Sequence, residues 1–260
     1  MIAVSSRDEI VITDPTNRKL VYYSADGVLL GEKKFTPAIS MAVPLPNGNI
    51  VAWHRVLDGS ADYLVDNPLG LVNPDFKPIK ELDRQKIPNP MRGKRLKGTY
   101  YIFSWSVSKD RIFSGLQERG YEIYVHDFDG KLVRKIRKEF APVPVSDEYK
   151  KKFMKQFEAP LFDDIRSKFY FPDAMPAFNS LFADEKGRLF VMTYETVSAS
   201  GESIFDVFDP EGIFVGRINL RVFHNDSGCR AKARNGRLYV LAEKDNGYRE
   251  LVVYEMTWPK

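Results

Sequence analysis

One short unit returns five times along this chain, and it leaves few folds open. The unit is a polar turn followed by a strand of apolar or alternating residues. These strands begin at Ile10, Ile50, Ile112, Leu189 and Leu238. Gly48, Gly187 and Gly236 in the preceding turns supply the positive φ that a tight hairpin needs. A second unit follows in three of the copies: strand, Asp-Gly-type turn, strand. Its turns are Asp26-Gly27, Asp129-Gly130 and Glu211-Gly212. Residues 62–68 hold a weaker version, and residues 249–256 hold the strand without the turn. A further short strand precedes each first turn, at residues 2–5, 38–43, 101–107, 178–183 and 230–233. Each copy thus supplies up to four short antiparallel strands in meander order. Short strands separated by turn signals point to a sandwich, barrel or propeller. Recurrence of a whole four-stranded sheet selects the propeller over a sandwich with coincidental turns. The expected fold is all-β, a β-propeller of four-stranded antiparallel blades, with residues 1–260 as one domain.

Composition narrows the function classes. An aromatic fraction of 13% fits the half-buried pleated surfaces of blades. A net charge of +4 over 260 residues permits an anionic partner without demanding one. The single cysteine, Cys229, excludes an internal disulfide and a thiolate metal cluster. No stretch approaches the ~18 apolar residues of a membrane span. The first ten residues carry neither a basic region nor a long apolar run, so they read as no secretory signal.

Two insertions interrupt the repeat. Residues 76–99 contain Pro78, Pro88 and Pro90 with a basic stretch, and read as a long loop. Residues 141–176 open with Pro142 and Pro144 in an extended run and continue into a short helix near 146–158. Ser146 is its N-cap, Asp147 and Glu148 sit in its first turn, and Tyr149, Phe153 and Phe157 form one apolar stripe.

Three segments carry a family resemblance. They are residues 121–137 followed by Pro142 and Pro144, residues 176–220 with Phe205, Asp206, Phe208, Asp209 and Gly212, and residues 235–258. With these the chain resembles the six-bladed β-propeller proteins with NHL-like or TolB-like repeats of bacteria and archaea, many of them uncharacterised. The resemblance implies six blades, leans towards an exported protein, and says little about activity, because propellers host unrelated functions. Only five copies are visible. The sixth is expected as a degenerate blade within residues 55–100. The last copy lacks a fourth strand, and nothing before Ile2 supplies one, so the ring is expected to close by another route or stay incomplete.

No local catalytic motif is present: there is no G-x-S-x-G elbow, P-loop or Rossmann fingerprint. His54, His126 and His224 fall on different repeats without metal-ligand spacing. Asp127 and Asp129 resemble the start of a calcium loop whose later ligands do not follow, and read as a hairpin turn. Asp163-Asp164 and Asp206/Asp209 read as turn and cap residues before cation ligands. Trp53, His54, Arg55, Trp105 and Tyr194 lie near strand ends and are the candidate ligand- or partner-binding residues. Arg92, Lys94, Arg95 and Lys97 form a basic patch able to meet phosphates or an acidic protein. The leading function is a binding or scaffold module that engages a protein or a small ligand through one disc face and its insertions. The alternatives are a metal-dependent propeller enzyme of lactonase or lyase type, holding Ca or Zn in the central channel, and an RNA binder using a basic face.

Overall fold

The computed structural model describes residues 2–5, 8–57, 62–197, 202–221, 224–225, 228–229, 231–243 and 248–258. The side chains of residues 224, 225, 228, 229 and 243 lie outside that description, so His224 and Cys229 are placed by backbone only. The chain is all-β, with antiparallel meander sheets in a propeller arrangement. The first sheet holds β1 (Ile2–Val4), β2 (Ile10–Asp14), β3 (Lys19–Tyr23) and β4 (Leu29–Lys34). The second holds β5 (Ile39–Pro44), β6 (Ile50–His54), β7 (Val56–Leu57), β8 (Tyr63–Val72) and β9 (Pro78–Pro88). After β10 (Leu96–Lys97) come the strands of the third sheet, β11 (Phe103–Ser108), β12 (Arg111–Leu116), β13 (Glu122–His126) and β14 (Leu132–Arg137). The helices α1 (Asp147–Lys155) and α2 (Asp163–Arg166) and the strand β15 (Phe169–Tyr170) follow. The fourth sheet is β16 (Ser180–Ala183), β17 (Leu189–Thr196), β18 (Ser203–Phe208) and β19 (Phe214–Leu220). A two-stranded ribbon, β20 (His224–Asn225) and β21 (Gly228–Cys229), precedes the fifth sheet, β22 (Ala231–Arg234), β23 (Arg237–Glu243) and β24 (Arg249–Glu255).

Five blades stand among the described residues, and the fifth has three strands, as the repeat predicts. Two expectations are corrected. Residues 76–99 are not a long loop, because β9 runs from Pro78 to Pro88 and pairs with β8 along its length. Its prolines sit at the ends of an outer strand, where a missing N–H costs the ladder nothing, so they punctuate the strand without breaking it. The strands between residues 56 and 88 therefore complete the second blade, and among the described residues of 55–100 no separate sixth blade forms. The short helix is where the sequence puts it: the Ser146 side chain accepts a hydrogen bond from Tyr149 N at 3.1 Å, and Phe153 of the stripe is buried.

The chain divides into two compact units. The first comprises residues 1–96 with the hairpin tip 126–132, and the second residues 97–125 and 133–260. In the first unit Val11, Leu20, Ile39, Ala42, Ile50, Ala52 and Val72 form one core. In the second, one core gathers Phe113, Ile123, Phe178, Val191 and Phe208, and another Phe182, Phe190, Phe205, Leu238 and Val240.

Within each unit the blades are joined by small hydroxyls. Ser104 and Ser106 on β11 accept from Leu181 N at 2.9 Å and Ala183 N at 3.1 Å on β16. The Ser108 hydroxyl donates to the Asp184 carbonyl. In the first unit Thr13 on β2 accepts from Ala42 N on β5 at 3.1 Å. These side chains satisfy backbone groups at inner strand edges that would otherwise be buried without partners. The Asp-Gly turns have a second joining role. Gly212 has φ +78°, and a Cβ there would lie 2.9 Å from Cγ1 of Ile136 on β14. Gly130, also at φ +78°, would meet Leu71, Leu82 and Lys80 at 3.0 Å. Glycine is required at these tips for the turn and for the close approach of the neighbouring strands.

Candidate functional site

In a meander, the connection between the second and third strands leaves from the same end of the sheet as the connection to the next sheet. The loops at this end build a cavity in each unit.

In the second unit the cavity measures about 210 Å³. Its walls are Phe140, Pro172, Ala174, Met175, Pro176 and Ala177, and its polar groups are Lys97, Thr99 and Gln117. Gln117 opens the 3-10 turn Gln117–Arg119 after β12 and is 8% exposed. Its Nε2 donates to Glu118 Oε1 at 3.1 Å, which fixes the orientation of the amide. The opposite atom, Oε1, is buried and accepts no hydrogen bond. A buried acceptor left without a donor costs about 1–3 kcal/mol relative to a satisfied one. Lys97 is half-buried; its backbone N–H donates to the Tyr101 hydroxyl at 3.1 Å, and among the described residues its ammonium has no ion-pair partner. Burial pushes the Tyr101 phenol above its ordinary pKa, so it stays neutral beside Lys97.

The returning limb of the insertion, residues 172–176, forms one wall of this cavity, and the insertion is pinched at its stem. Val145 N donates to Asp173 O at 3.0 Å, and Met175 N to Val143 O at 2.8 Å. Beyond the stem, Phe153 of α1 packs against Tyr100 at 5.6 Å, Phe169 at 5.3 Å and Phe171 at 5.7 Å between ring centroids. Gly98 lets Phe171 come close, since a Cβ there would lie 2.4 Å from the Phe171 ring.

The same unit holds a closed ionic lock. Asp206 on β18 is fully buried. Its Oδ2 accepts from the Tyr121 hydroxyl at 2.7 Å and pairs with Lys138 Nζ at 3.2 Å, while Oδ1 accepts from Arg217 Nε at 2.9 Å. Arg217 also grips both carboxylate oxygens of Glu195 at 2.9 Å. Burial, reinforced by the Asp206 charge, drives the Tyr121 phenol far above its ordinary range, so it acts only as a donor. Two acids and two bases balance here, and both Asp206 oxygens are occupied. The lock anchors Lys138 at the start of the connection, and two residues on the ring of Phe140 lies 6.1 Å from that of Tyr121.

In the first unit the cavity measures about 300 Å³ and is lined by Pro15, Arg18, Pro37, Ala38, Ile39, Ser40, Arg55 and Leu57. Arg55 fills the break between β6 and β7, both of which pair with β8.

The candidate residues read from the sequence are scattered. Arg55 lines the first unit's cavity and Lys97 the second's, while Tyr194 lines a narrow cleft with Phe140 and Glu195. Trp53 and His54 are half-buried along β6, and burial lowers the pKa of His54. Trp105 is half-buried on β11, opposite Ser114. The basic patch divides: Arg92, Lys94 and Arg95 belong to the first unit, with Lys94 paired to Asp62 at 3.5 Å, and Lys97 belongs to the second. Among the acids weighed as cation ligands, Asp127 and Asp209 accept backbone N–H groups in their turns, and Asp163 pairs with Arg166 at 3.0 Å. Among the described residues no group of three His, Cys, Asp or Glu side chains is placed to hold a metal ion. Thr99, Gln117 and Met175 were missed. The glycines beside them, Gly98 and Gly120, were the available signal, since they mark close approach and an unusual turn.

No family model matches the chain, and no curated protein matches it. Among solved structures it is similar to a gluconolactonase from Xanthomonas campestris, at 13% identity over 93% of this chain and 68% of that one, TM-score 0.43. It is similar to virginiamycin B lyase from Staphylococcus aureus, at 11% identity over 99% and 70%, TM-score 0.40. It is also similar to an acylaminoacyl peptidase from Pyrococcus horikoshii, at 12% identity over 100% of this chain but 38% of that one, TM-score 0.49.

Proposed function

We propose that this protein is a propeller-type binding module that takes a small ligand in the insertion-lined cavity of its second unit. The observation that carries the reading is that Gln117, whose buried Oε1 accepts no hydrogen bond, and Lys97, whose ammonium makes no ion pair among the described residues, line the same cavity. The first asks for an N–H or O–H donor, the second for an anion, and the Met175 and proline walls for an apolar frame. A small carboxylate with an N–H donor on a branched aliphatic body meets all three. The kinship with six-bladed NHL-like or TolB-like propellers, and the reading of residues 1–260 as one domain, belong to the same proposal; the recurrent Asp-Gly turn supports them.

Titration calorimetry with N-acetyl-L-leucine tests the binding reading. Saturable binding is expected, weakened about tenfold, near 1.4 kcal/mol, by 4-methylpentanoate, which lacks the N–H, and similarly by N-acetyl-L-leucinamide, which lacks the carboxylate. Lys97→Met should erase the preference for the carboxylate and Gln117→Leu the preference for the N–H. Equal heats for all three compounds would overturn the reading. Stoichiometric Ca or Zn surviving dialysis of the purified protein would favour the enzyme alternative instead.

A further inference from the structure

We infer that the first unit carries a second, separate binding site, for an organic oxyanion, built on Arg18 and Arg55. Both residues line the same cavity of about 300 Å³, and neither side chain is buried. Neither makes a hydrogen bond or an ion pair among the described residues. By contrast, Arg84 of the same unit pairs with Asp66 and Glu81. Two cations left facing one concavity raise its potential and favour a carboxylate or phosphate, which arginine can grip through two parallel N–H donors.

The framework under the arginines is fixed. The connection from the first to the second sheet holds both backbones: Phe35 N donates to Arg18 O at 2.9 Å, and Arg55 N donates to Ala38 O at 3.0 Å. Pro37 stiffens that connection, and its carbonyl accepts from Ile39 N at 2.9 Å. Arg18 itself has φ +50°, a left-handed conformation that a side chain as large as arginine seldom adopts. An Asp14–Asn17 turn enforces it, with Asn17 N donating to Asp14 Oδ1 at 3.0 Å and Asn17 Nδ2 to Oδ2 at 2.7 Å. Strain held in place by local hydrogen bonds at a cavity mouth is a common mark of a binding position. Pro15, Pro37, Ile39 and Leu57 complete the lining with apolar surface, so the ligand is an oxyanion on a small apolar body rather than a free ion.

The test uses the full chain and four probes: phenyl phosphate, benzoate, inorganic phosphate and benzyl alcohol. Phenyl phosphate or benzoate, whichever source of the oxyanion the site prefers, should bind saturably. Inorganic phosphate should bind at least tenfold more weakly, benzyl alcohol should not saturate, and the affinity should fall as salt rises. Arg18→Asn keeps the left-handed turn while removing the charge, and Arg55→Gln removes the other. Each should weaken the preferred probe about tenfold, while Lys151→Gln on α1 leaves it unchanged. Wild-type affinity in both arginine variants would overturn the site. An equal loss in Lys151→Gln would reduce it to attraction by net charge, which overturns it too.

Discussion

The two cavities lie at equivalent strand ends, yet they are built to opposite plans. In the first unit the connection between sheets is short, from Phe35 to Ala38, and the cavity keeps two exposed arginines at its rim. In the second unit the connection runs from Lys138 to Asn179, and the added chain folds into α1, α2 and β15 and returns through residues 172–177 to line a cavity whose polar groups are mostly buried. The blades supply the floor in both cases. The length of one connection decides whether the polar groups of a site are exposed arginines or buried side chains of the blade and the insertion. That is how a repeated scaffold diversifies without disturbing its core.

The contrast can be broken most forcefully at the ionic lock, which has no counterpart among the described residues of the first unit. Asp206→Asn leaves Lys138 and Arg217 without their shared carboxylate. It should lower stability by about 3 kcal/mol in a denaturant titration. Unchanged stability would remove the lock from the account. Gly98→Val comes next. Its side chain meets Phe171, and overpacking of this kind costs about 1–3 kcal/mol. N-acetyl-L-leucine binding should be lost with it, while phenyl phosphate binding in the first unit persists. Ser106→Ala and Thr13→Val probe what the units share. Each removes one hydroxyl joining adjacent sheets and should cost about 1 kcal/mol. A large difference between the two would show that the blades are not joined alike.

The smallest effects are titrations. The Tyr121 phenol is raised by burial and by Asp206, so the folded state prefers the neutral form. Its contribution is complete below the ordinary tyrosine pKa of 10.0 and is lost as pH rises above it. Ultraviolet titration should therefore find a tyrosine that ionises only on alkaline unfolding. His54 behaves in the opposite sense. Burial lowers its pKa, so its contribution is complete above 6.5 and is lost as pH falls below that value. An NMR midpoint for His54 at or above 6.5 would contradict its placement along β6.

The sequence shows the blades well because their signals are local. Gly130 and Gly212 mark turns whose geometry needs them, and Ser146 caps a helix within its own first turn. The outer strand β9 was hidden because Pro78 and Pro88 read as loop punctuation, whereas only the pairing with β8 shows that they sit at strand ends. The second unit's cavity was hidden for a deeper reason. Thr99, Gln117 and Met175 are ordinary residues drawn from three separate segments, and no spacing along the chain links them. The basic run misled by proximity: Lys97 follows Arg95 in sequence but belongs to a different unit.

The most direct test of the central claim is hydrogen exchange with and without saturating N-acetyl-L-leucine. Ligand protection should appear at residues 97–102, 117–121 and 172–177, and leave residues 15–18, 37–40 and 55–57 unchanged. Protection in the second group, or in neither, would contradict the assignment of this ligand to the second unit's cavity.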